Sequence, residues 1–360
     1  MRLTLLPTQP PAGRPTQLDT GPRSIGAVQM LRISLTDRCN YRCMYCMPEE
    51  GVRWLEKDQL LSYDEIIAVA KAAAELHGIR RFKLTGGEPT VRPGLIDFVR
   101  RFRDEVDVED LSLTTNGQLL EGLAEPLKAA GLGRVTVSVD SLRPDRFARI
   151  TRTGDLATVM RGIDAALSAG YASVKINCVM MRGTNDDEIA DFAALTLDRR
   201  ISVRFIEYMP LGDSAVLNLA ETGPAGGCGA QQRGDVFISE TESRGQIESR
   251  FGPLLPVPRQ TEAGVGPASV WKLAGAAGRV GFISAMSAPF CSTCNRLRLT
   301  AAGILRSCLF DGGEIDLKPI LRSGRRDTAA DLAQAMIDCV RLKPETHSYY
   351  GNEAMSRIGG

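Results

Sequence analysis

Apolar and polar positions alternate in six short runs: Gln29 to Thr36, Arg81 to Thr85, Asp110 to Thr115, Arg134 to Asp140, Ser173 to Met180 and Ser202 to Tyr208. Alternation with period two marks a strand whose two faces meet different surroundings. One face carries Leu31, Ile33, Leu35, Phe82, Leu84, Leu111, Leu113, Val135, Val137, Val139, Val174, Ile176, Val203 and Phe205. The other carries Arg32, Ser34, Lys83, Thr85, Ser112, Thr114, Thr136, Ser138, Asp140, Lys175, Asn177 and Arg204. Amphipathic segments separate several of these runs. Ser62-Tyr-Asp-Glu65 reads as a capping box opening a helix that Gly78 closes, and Gly131 and Gly170 close two more. Strand and helix in repetition predict an α/β fold with a parallel sheet.

Parallel strands covered on both sides usually read as unbroken apolar runs. These do not. If the apolar set packs under outer helices, the other set lines a polar interior. A half-exposed sheet would explain any single strand, but six strands sharing the pattern favour the interior. A closed eight-stranded barrel fills its middle with side chains, whereas six strands in an open barrel leave a lateral cavity for a large ligand. Beyond this region, residues 211–268 turn to glycine, proline, serine and charge, as a linker or insertion would. Ser269 to Leu273 and Arg279 to Ile283 then read as strands. Asn295 to Thr300 and Ile304 to Leu309 form a hairpin about Ala302-Gly303, and Asp327 to Leu342 forms a helix. The proline-bearing residues 1–24 read as a flexible tail. The expected organisation is a tail over 1–24, a barrel over 25–210, a linker or insertion over 211–268 and a C-terminal α+β domain over 269–360.

Balanced charge, a formal +1 over 360 residues, argues against a surface that coats nucleic acid. No apolar run approaches the roughly 20 residues of a membrane span, and no apolar secretory core follows the N-terminus. Nine cysteines, an odd number gathered in short motifs, favour a reducing compartment, so the expected location is the cytoplasm. Arg2, Arg14 and Arg23, opposed only by Asp19, keep an organelle transit peptide as the alternative.

The chemistry lies in the cysteines. Cys39-x-x-x-Cys43-x-x-Cys46 sets three thiols in one short stretch and supplies no fourth. A [4Fe-4S] cubane takes four thiolates, so three would leave one iron open to another ligand. Three cysteines on one face of a buried helix is the simpler account, yet Asp37, Arg38, Asn40 and Arg42 are too polar for it. Zinc wants a closed set, and His77 and His347, the two histidines of the chain, are remote in sequence. The pattern repeats as Cys291-x-x-Cys294, thirteen residues, Cys308. A zinc ribbon would need a second close pair. Cys178 and Cys339 read as core residues, and Cys228 stays open as a fourth ligand. Between these thiols, Arg296 and Arg298 share a strand face and suit phosphate, each charged hydrogen bond adding about 1.5–3 kcal/mol. With Arg32, Lys83, Lys175 and Arg204 they would make a pocket for a polyanion such as a nucleoside triphosphate.

The first triplet, followed by Met47-Pro48, resembles the cluster motif of radical S-adenosylmethionine (radical SAM) enzymes, and Thr85-Gly-Gly-Glu-Pro89 resembles their GGEP motif. With the second triplet, Asn295-Arg-Leu-Arg298 and the terminal Gly359-Gly360, the pattern over 29–209 and 270–360 resembles the GTP 3′,8-cyclases, which open molybdenum cofactor biosynthesis. The resemblance implies a partial (β/α)6 TIM-like radical SAM barrel with a C-terminal α+β extension carrying a second cluster. It implies two [4Fe-4S] clusters, one on Cys39, Cys43 and Cys46, the other on Cys291, Cys294 and Cys308. SAM would meet Tyr45, Gly87, Ser138 and Met209, with Asp140 a candidate ribose partner. GTP would meet Arg32, Lys83, Thr114, Lys175, Arg296, Leu297 and Arg298, its guanine at the open iron of the second cluster. Arg296, Arg298, Gly359 and Gly360 would serve catalysis. A 5′-deoxyadenosyl radical would take the ribose 3′ hydrogen, and the sugar carbon would attack guanine C8 to give 3′,8-cyclo-7,8-dihydro-GTP. Implied partners are an electron donor of flavodoxin or ferredoxin type, a hand-off to cyclic pyranopterin monophosphate synthase and a homodimer, with neither nucleic acid nor membrane. The proline-rich start and residues 211–268 depart from the pattern. Competing readings are a radical SAM enzyme that modifies peptides and a zinc or iron-sulfur protein that binds RNA.

Overall fold

The computed structural model describes residues 21–209, 236–258, 261, 264–310 and 313–347. All six expected strands are present: β1 (Met30–Ser34), β2 (Arg81–Thr85), β3 (Asp110–Thr115), β4 (Arg134–Ser138), β5 (Ser173–Met180) and β6 (Ile201–Glu207). They lie side by side in chain order and all pair in parallel. Helices α1 (Tyr63–His77), α2 (Leu95–Glu105), α3 (Leu120–Ala129), α4 (Pro144–Thr151), α5 (Leu156–Ser168) and α6 (Ile189–Asp198) connect them. Helix α1 starts where the capping box places it: Ser62 accepts from the Glu65 amide, the Glu65 carboxylate accepts from the Ser62 amide, and Gly78 ends the helix at φ 66°.

The chain then returns to the sheet. Helix α7 (Glu240–Phe251) and strand β7 (Leu255–Pro256) lie within the stretch expected to be a linker or insertion. A second capping box, Ser239 with Glu242, starts α7 in a sequence of low hydropathy, where no apolar stripe announces a helix. Next come β8 (Ser269–Lys272), β9 (Arg279–Ile283), β10 (Arg296–Leu299), β11 (Ile304–Arg306), β12 (Glu314–Asp316), the short α8 (Lys318–Leu321) and α9 (Ala329–Arg341). Strand β9 joins β6 in parallel, and β10 joins β1 in parallel. The expected hairpin is β10–β11, continued by β12, while β8 and β7 extend the opposite edge. The C-terminal strands therefore cap both edges of the six-stranded core, giving twelve strands in one sheet among the described residues.

The apolar faces form the core. Leu31, Ile33, Phe82, Leu84, Leu113, Val135, Val137, Ile176 and Val203 are buried against the helices. Burying such side chains contributes about 1.5–3 kcal/mol each. Cys178 and Cys339 lie in this core, as expected. The polar faces turn inward, and the sheet curls about them. Flat, β2 and β6 would stand some 19 Å apart, four spacings of about 4.8 Å. Yet the charges of Arg204 on β6 and Lys175 on β5 act on Lys83 of β2. Side chains from strands so far apart share one interior, that of a partial barrel.

Candidate active site

The first cysteine triplet lies in the loop after β1, suspended between two supports. On one side the Gly87 amide donates to Thr36 O and the Glu88 amide to Arg38 O, both at 2.7 Å. The glycine pair is explained by this contact: a Cβ on Gly87 would come within 2.3 Å of Arg38 O, and one on Gly86 within 2.6 Å of Thr36 O. On the other side the Arg42 and Met44 amides donate to Thr151 O and Ile150 O, at 3.1 and 2.9 Å. Arg152, whose φ of 64° is the one positive value at a non-glycine among the described residues, donates to Arg42 O and Met47 O at 3.0 and 3.1 Å.

Within the loop, Cys39 Sγ accepts from the Tyr41 amide at 3.4 Å. Burial pushes the Cys39 thiol up to about 11 and raises Cys43 well above its ordinary range, where Asp140, Cys46 and Cys39 add to the effect. These thiols stay protonated until a cation displaces the proton, as metal-binding thiols do. Among the described residues, no three His, Cys, Asp or Glu side chains gather closely enough to hold a single metal ion. The donor set, three thiols of one short loop close enough to act on one another, is the kind that takes an iron-sulfur cluster.

Of the residues expected around SAM, Ser138 ends β4, and Tyr45 meets Asp140 two positions beyond it. Tyr45 Oη donates to Asp140 Oδ2 at 2.7 Å, and Asp140 Oδ1 accepts from the Val179 amide at 2.8 Å. Burial raises Asp140 to about 6, although both hydrogen bonds act to lower it. Asn185, fully buried, fixes this corner by donating to Asp140 O and Val179 O. Met209, two residues past β6, packs against Met286 and Phe310, the apolar cluster that also takes in Cys308 of the second triplet. The Glu88 carboxylate of the GGEP-like motif is engaged internally: it accepts from Thr90 N, Thr90 Oγ1, Thr115 Oγ1 and Asn116 N at 2.5–3.0 Å.

The cations form a row. Register places Arg306, Arg298, Arg32 and Lys83 on neighbouring strands β11, β10, β1 and β2, all on the inner face. Lys83 Nζ donates to Thr136 Oγ1 at 3.1 Å. Burial and then the charges of Arg32, Arg204, Arg134 and Lys175 hold Lys83 well below the usual lysine range. Burial, with Arg296, takes Arg32 down to about 10, and burial, Arg32 and Arg296 depress Arg298 strongly. Arg134 is matched by Asp110, its Nε 2.7 Å from Oδ1. Thr114 Oγ1, Asn177 Oδ1 and Ser202 Oγ are buried on the same wall with no hydrogen-bond partner among the described residues. Buried cations that depress one another, with unsatisfied oxygens beside them, make an interior suited to a large polar anion. Leu297 does not join the wall. It pairs with Leu31 in register, and its side chain is fully buried in the apolar core.

The second triplet lies at the mouth of the C-terminal strands. Cys291 and Cys294 flank a single 3-10 turn before β10, and the charge of Cys308 acts on Cys291. Burial alone would raise Cys294, but Arg296 and Lys343 more than offset it. Arg296 Nη2 stands 3.8 Å from Cys294 Sγ, and Lys343 Nζ donates to Cys294 O at 3.0 Å. His347 Nδ1 lies 3.0 Å from Cys291 Sγ. Three residues escape the sequence reading: Arg306, Lys343 and His347. Arg306 was detectable, since it shares a face with Cys308 two positions on and opposes Arg298 across the hairpin. His347 carried no signal, being 56 positions from Cys291. Cys228, Gly359 and Gly360 lie outside the described residues.

Residues 33–196 match the Radical SAM superfamily, and residues 201–349 match the family Molybdenum Cofactor Synthesis C. Among solved structures, Streptococcus suis SuiB bound to S-adenosylmethionine aligns over 91% of this chain and 77% of its own, with TM-score 0.52 and 13% identity. The chain thus has a radical SAM fold, a class whose members bind a [4Fe-4S] cluster and SAM. A GTP 3′,8-cyclase of Pelotomaculum thermopropionicum is 47% identical over 92% of this chain and 98% of its own length. One of Pseudomonas putida is 43% identical over 89% and 90%. The chain belongs to the GTP 3′,8-cyclase family. Among the described residues no helix is long and apolar enough to cross a membrane.

Proposed function

We propose that this protein converts GTP to 3′,8-cyclo-7,8-dihydro-GTP in molybdenum cofactor biosynthesis. The observation that carries the reading is the row of inward cations lying between two separate three-cysteine sites. Cys39, Cys43 and Cys46 would hold one [4Fe-4S] cluster, and Cys291, Cys294 and Cys308 a second. When bound, the first cluster and SAM would supply the one-electron chemistry that removes the ribose 3′ hydrogen of GTP; the bond from that carbon to guanine C8 would leave a purine radical that one electron from the reductant and one proton convert to product. The protein positions the reactants and shields them. Tyr45, Gly87 and Ser138 would border SAM at the C-terminal strand ends, with Tyr45 fixed by Asp140. Met209 would reach SAM from beyond the end of β6. Arg32, Lys83, Lys175, Arg296 and Arg298 would neutralise the triphosphate, and Thr114 would give its unsatisfied hydroxyl to the nucleotide. Any part for Leu297 is confined to its main chain. Gly359 and Gly360 would end in the same cavity and complete it.

The working division is a barrel over 25–210, a connecting segment over 211–268 and a cluster-bearing domain over 269–360, with 1–24 as a tail. The protein would work in the cytoplasm, draw electrons from a flavodoxin or ferredoxin, pass its product to cyclic pyranopterin monophosphate synthase and pair as a homodimer. Anaerobic incubation with SAM, a reductant and GTP tests the central claim. A cyclised nucleotide should appear, and 5′-deoxyadenosine should form far faster with GTP than without. Equal formation without GTP, and no cyclised nucleotide, would show the substrate to be another.

A further inference from the structure

The segment after α9 carries a side chain that the reading above leaves without a role. His347 Nδ1 stands 3.0 Å from Cys291 Sγ, and its ring lies flat on Phe310, centroids 4.1 Å apart at 11°. Phe310 is buried two positions beyond Cys308, so the imidazole rests on a wall belonging to the same cysteine set. The segment is tied down at its start as well: Lys343 Nζ donates to Cys294 O, and Arg23 Nε donates to Lys343 O at 2.8 Å. Cys294 already has cations in Arg296 and Lys343. His347 brings an imidazole nitrogen to the other cysteine of the pair.

We propose that His347 is a positioning residue for the second cluster, its Nδ1–H donating a hydrogen bond to the Cys291 thiolate and thereby raising the cluster's reduction potential. The inference rests on the assignment of Cys291, Cys294 and Cys308 as cluster ligands. Its physical basis is general. A thiolate ligand is an acceptor only, and a donor aimed at it favours the reduced, more negative cluster over the oxidised one. Stacking on Phe310 fixes the direction of the donor, which a flexible side chain would have to find at an entropic cost.

The test uses the full chain with both clusters assembled anaerobically, followed by redox titration with electron paramagnetic resonance. The second cluster is the signal that GTP perturbs, the first the one that SAM perturbs. His347→Phe keeps a ring over Phe310 and removes the donor; His347→Asn places an amide N–H near the Nδ1 position and removes the ring. In His347→Phe the equilibrium constant for reducing the second cluster should fall about tenfold, about 59 mV for one electron. In His347→Asn it should stay within about threefold of the parent. Should the Phe variant shed its second cluster, retention by the Asn variant supports the proposal equally. Equal midpoints in all three proteins overturn it, and so does an Asn variant that falls as far as the Phe variant, since stacking alone would then be at work. A parent protein with about four irons and no GTP-sensitive signal would remove the ligand assignment itself, a result read before any variant is made.

Discussion

At the scale of single residues, the inner wall works against the fold that carries it. Lys83 is buried among Arg32, Arg204 and Lys175, and each charge makes the next harder to keep. Such groups persist because a ligand repays them. Lys83→Met should therefore raise the melting temperature of the ligand-free protein, by the equivalent of about 1–3 kcal/mol, while weakening GTP binding at least tenfold. Scanning calorimetry and titration calorimetry read the two effects separately. A drop in both would show Lys83 to be structural. The sign with pH follows. Lys83 gives up its proton in the folded state below its ordinary 10.5, so between its depressed folded value and 10.5 the unfolded chain binds more protons. Its contribution to stability thus increases with pH across that window and is lost as pH falls through the folded value. A bound triphosphate should flatten this slope, which melting curves recorded with and without nucleotide will show. Arg32 and Lys83 were legible as wall residues because alternation fixes the face once the register of a strand is known.

At the scale of elements, the first cysteine loop is defined by what holds it. Gly87→Ala drives a methyl group into Arg38 O and Asp37 O, which are backbone atoms with no freedom to swing aside. The expected cost is about 3 kcal/mol, and iron content should drop by about half as the first site fails while the second keeps its cluster. Retention of a SAM-sensitive cluster signal in this variant would contradict the structure. The support from α4 is tested differently. Arg152→Gly should leave the melting temperature nearly unchanged, because relief of the φ of 64° offsets two lost hydrogen bonds, yet speed loss of the first cluster to a chelator several-fold. The glycine pair shows how far sequence reasoning reaches. Resemblance to the GGEP motif singled out Gly86 and Gly87, but their partner is the cysteine loop, whose path depends on residues 150–154 that no local pattern links to it. Glu88 likewise advertises acidic chemistry in sequence. Its burial and four donors, supplied by Thr90 after β2 and by Thr115 and Asn116 at the end of β3, have it tie β2 to β3.

At the scale of the whole molecule, the alternating core was readable and its edges were not. Four residues of β10 cannot specify whether they pair with β1, with β6 or with each other's hairpin alone. The outcome, β10 on one flank and β9 on the other, is a tertiary decision, and it brings Arg296, Arg298 and Arg306 to the same wall as Arg32. Lys343 and His347 reach the second triplet for the same reason, since α9 packs back against α1 and carries the following segment to Cys291 and Cys294. Removing residues 269–360 should thus do more than delete one cysteine site. It should expose both edges of the core sheet and yield an aggregating product, detectable by light scattering, whereas a monodisperse fragment would show the core to be self-sufficient.

The flanking of β1 by β10 also sets a clock. Met30 faces Arg296 across 266 positions of chain, the difference of the two residue numbers. At 5–20 residues per second of synthesis, β1 waits on the order of half a minute for its neighbour. Through that interval a parallel edge with three thiols beside it stands open on the ribosome. Folding dominated by such distant pairings is slow, and unpaired edges recruit other chains. Iron delivered during this wait would meet a loop with one wall of its cavity unbuilt, so cluster assembly belongs after chain release. A cell making this protein faster than its strands can close would accumulate an iron-poor, aggregated form, and slower synthesis at lower temperature should increase the iron-loaded fraction.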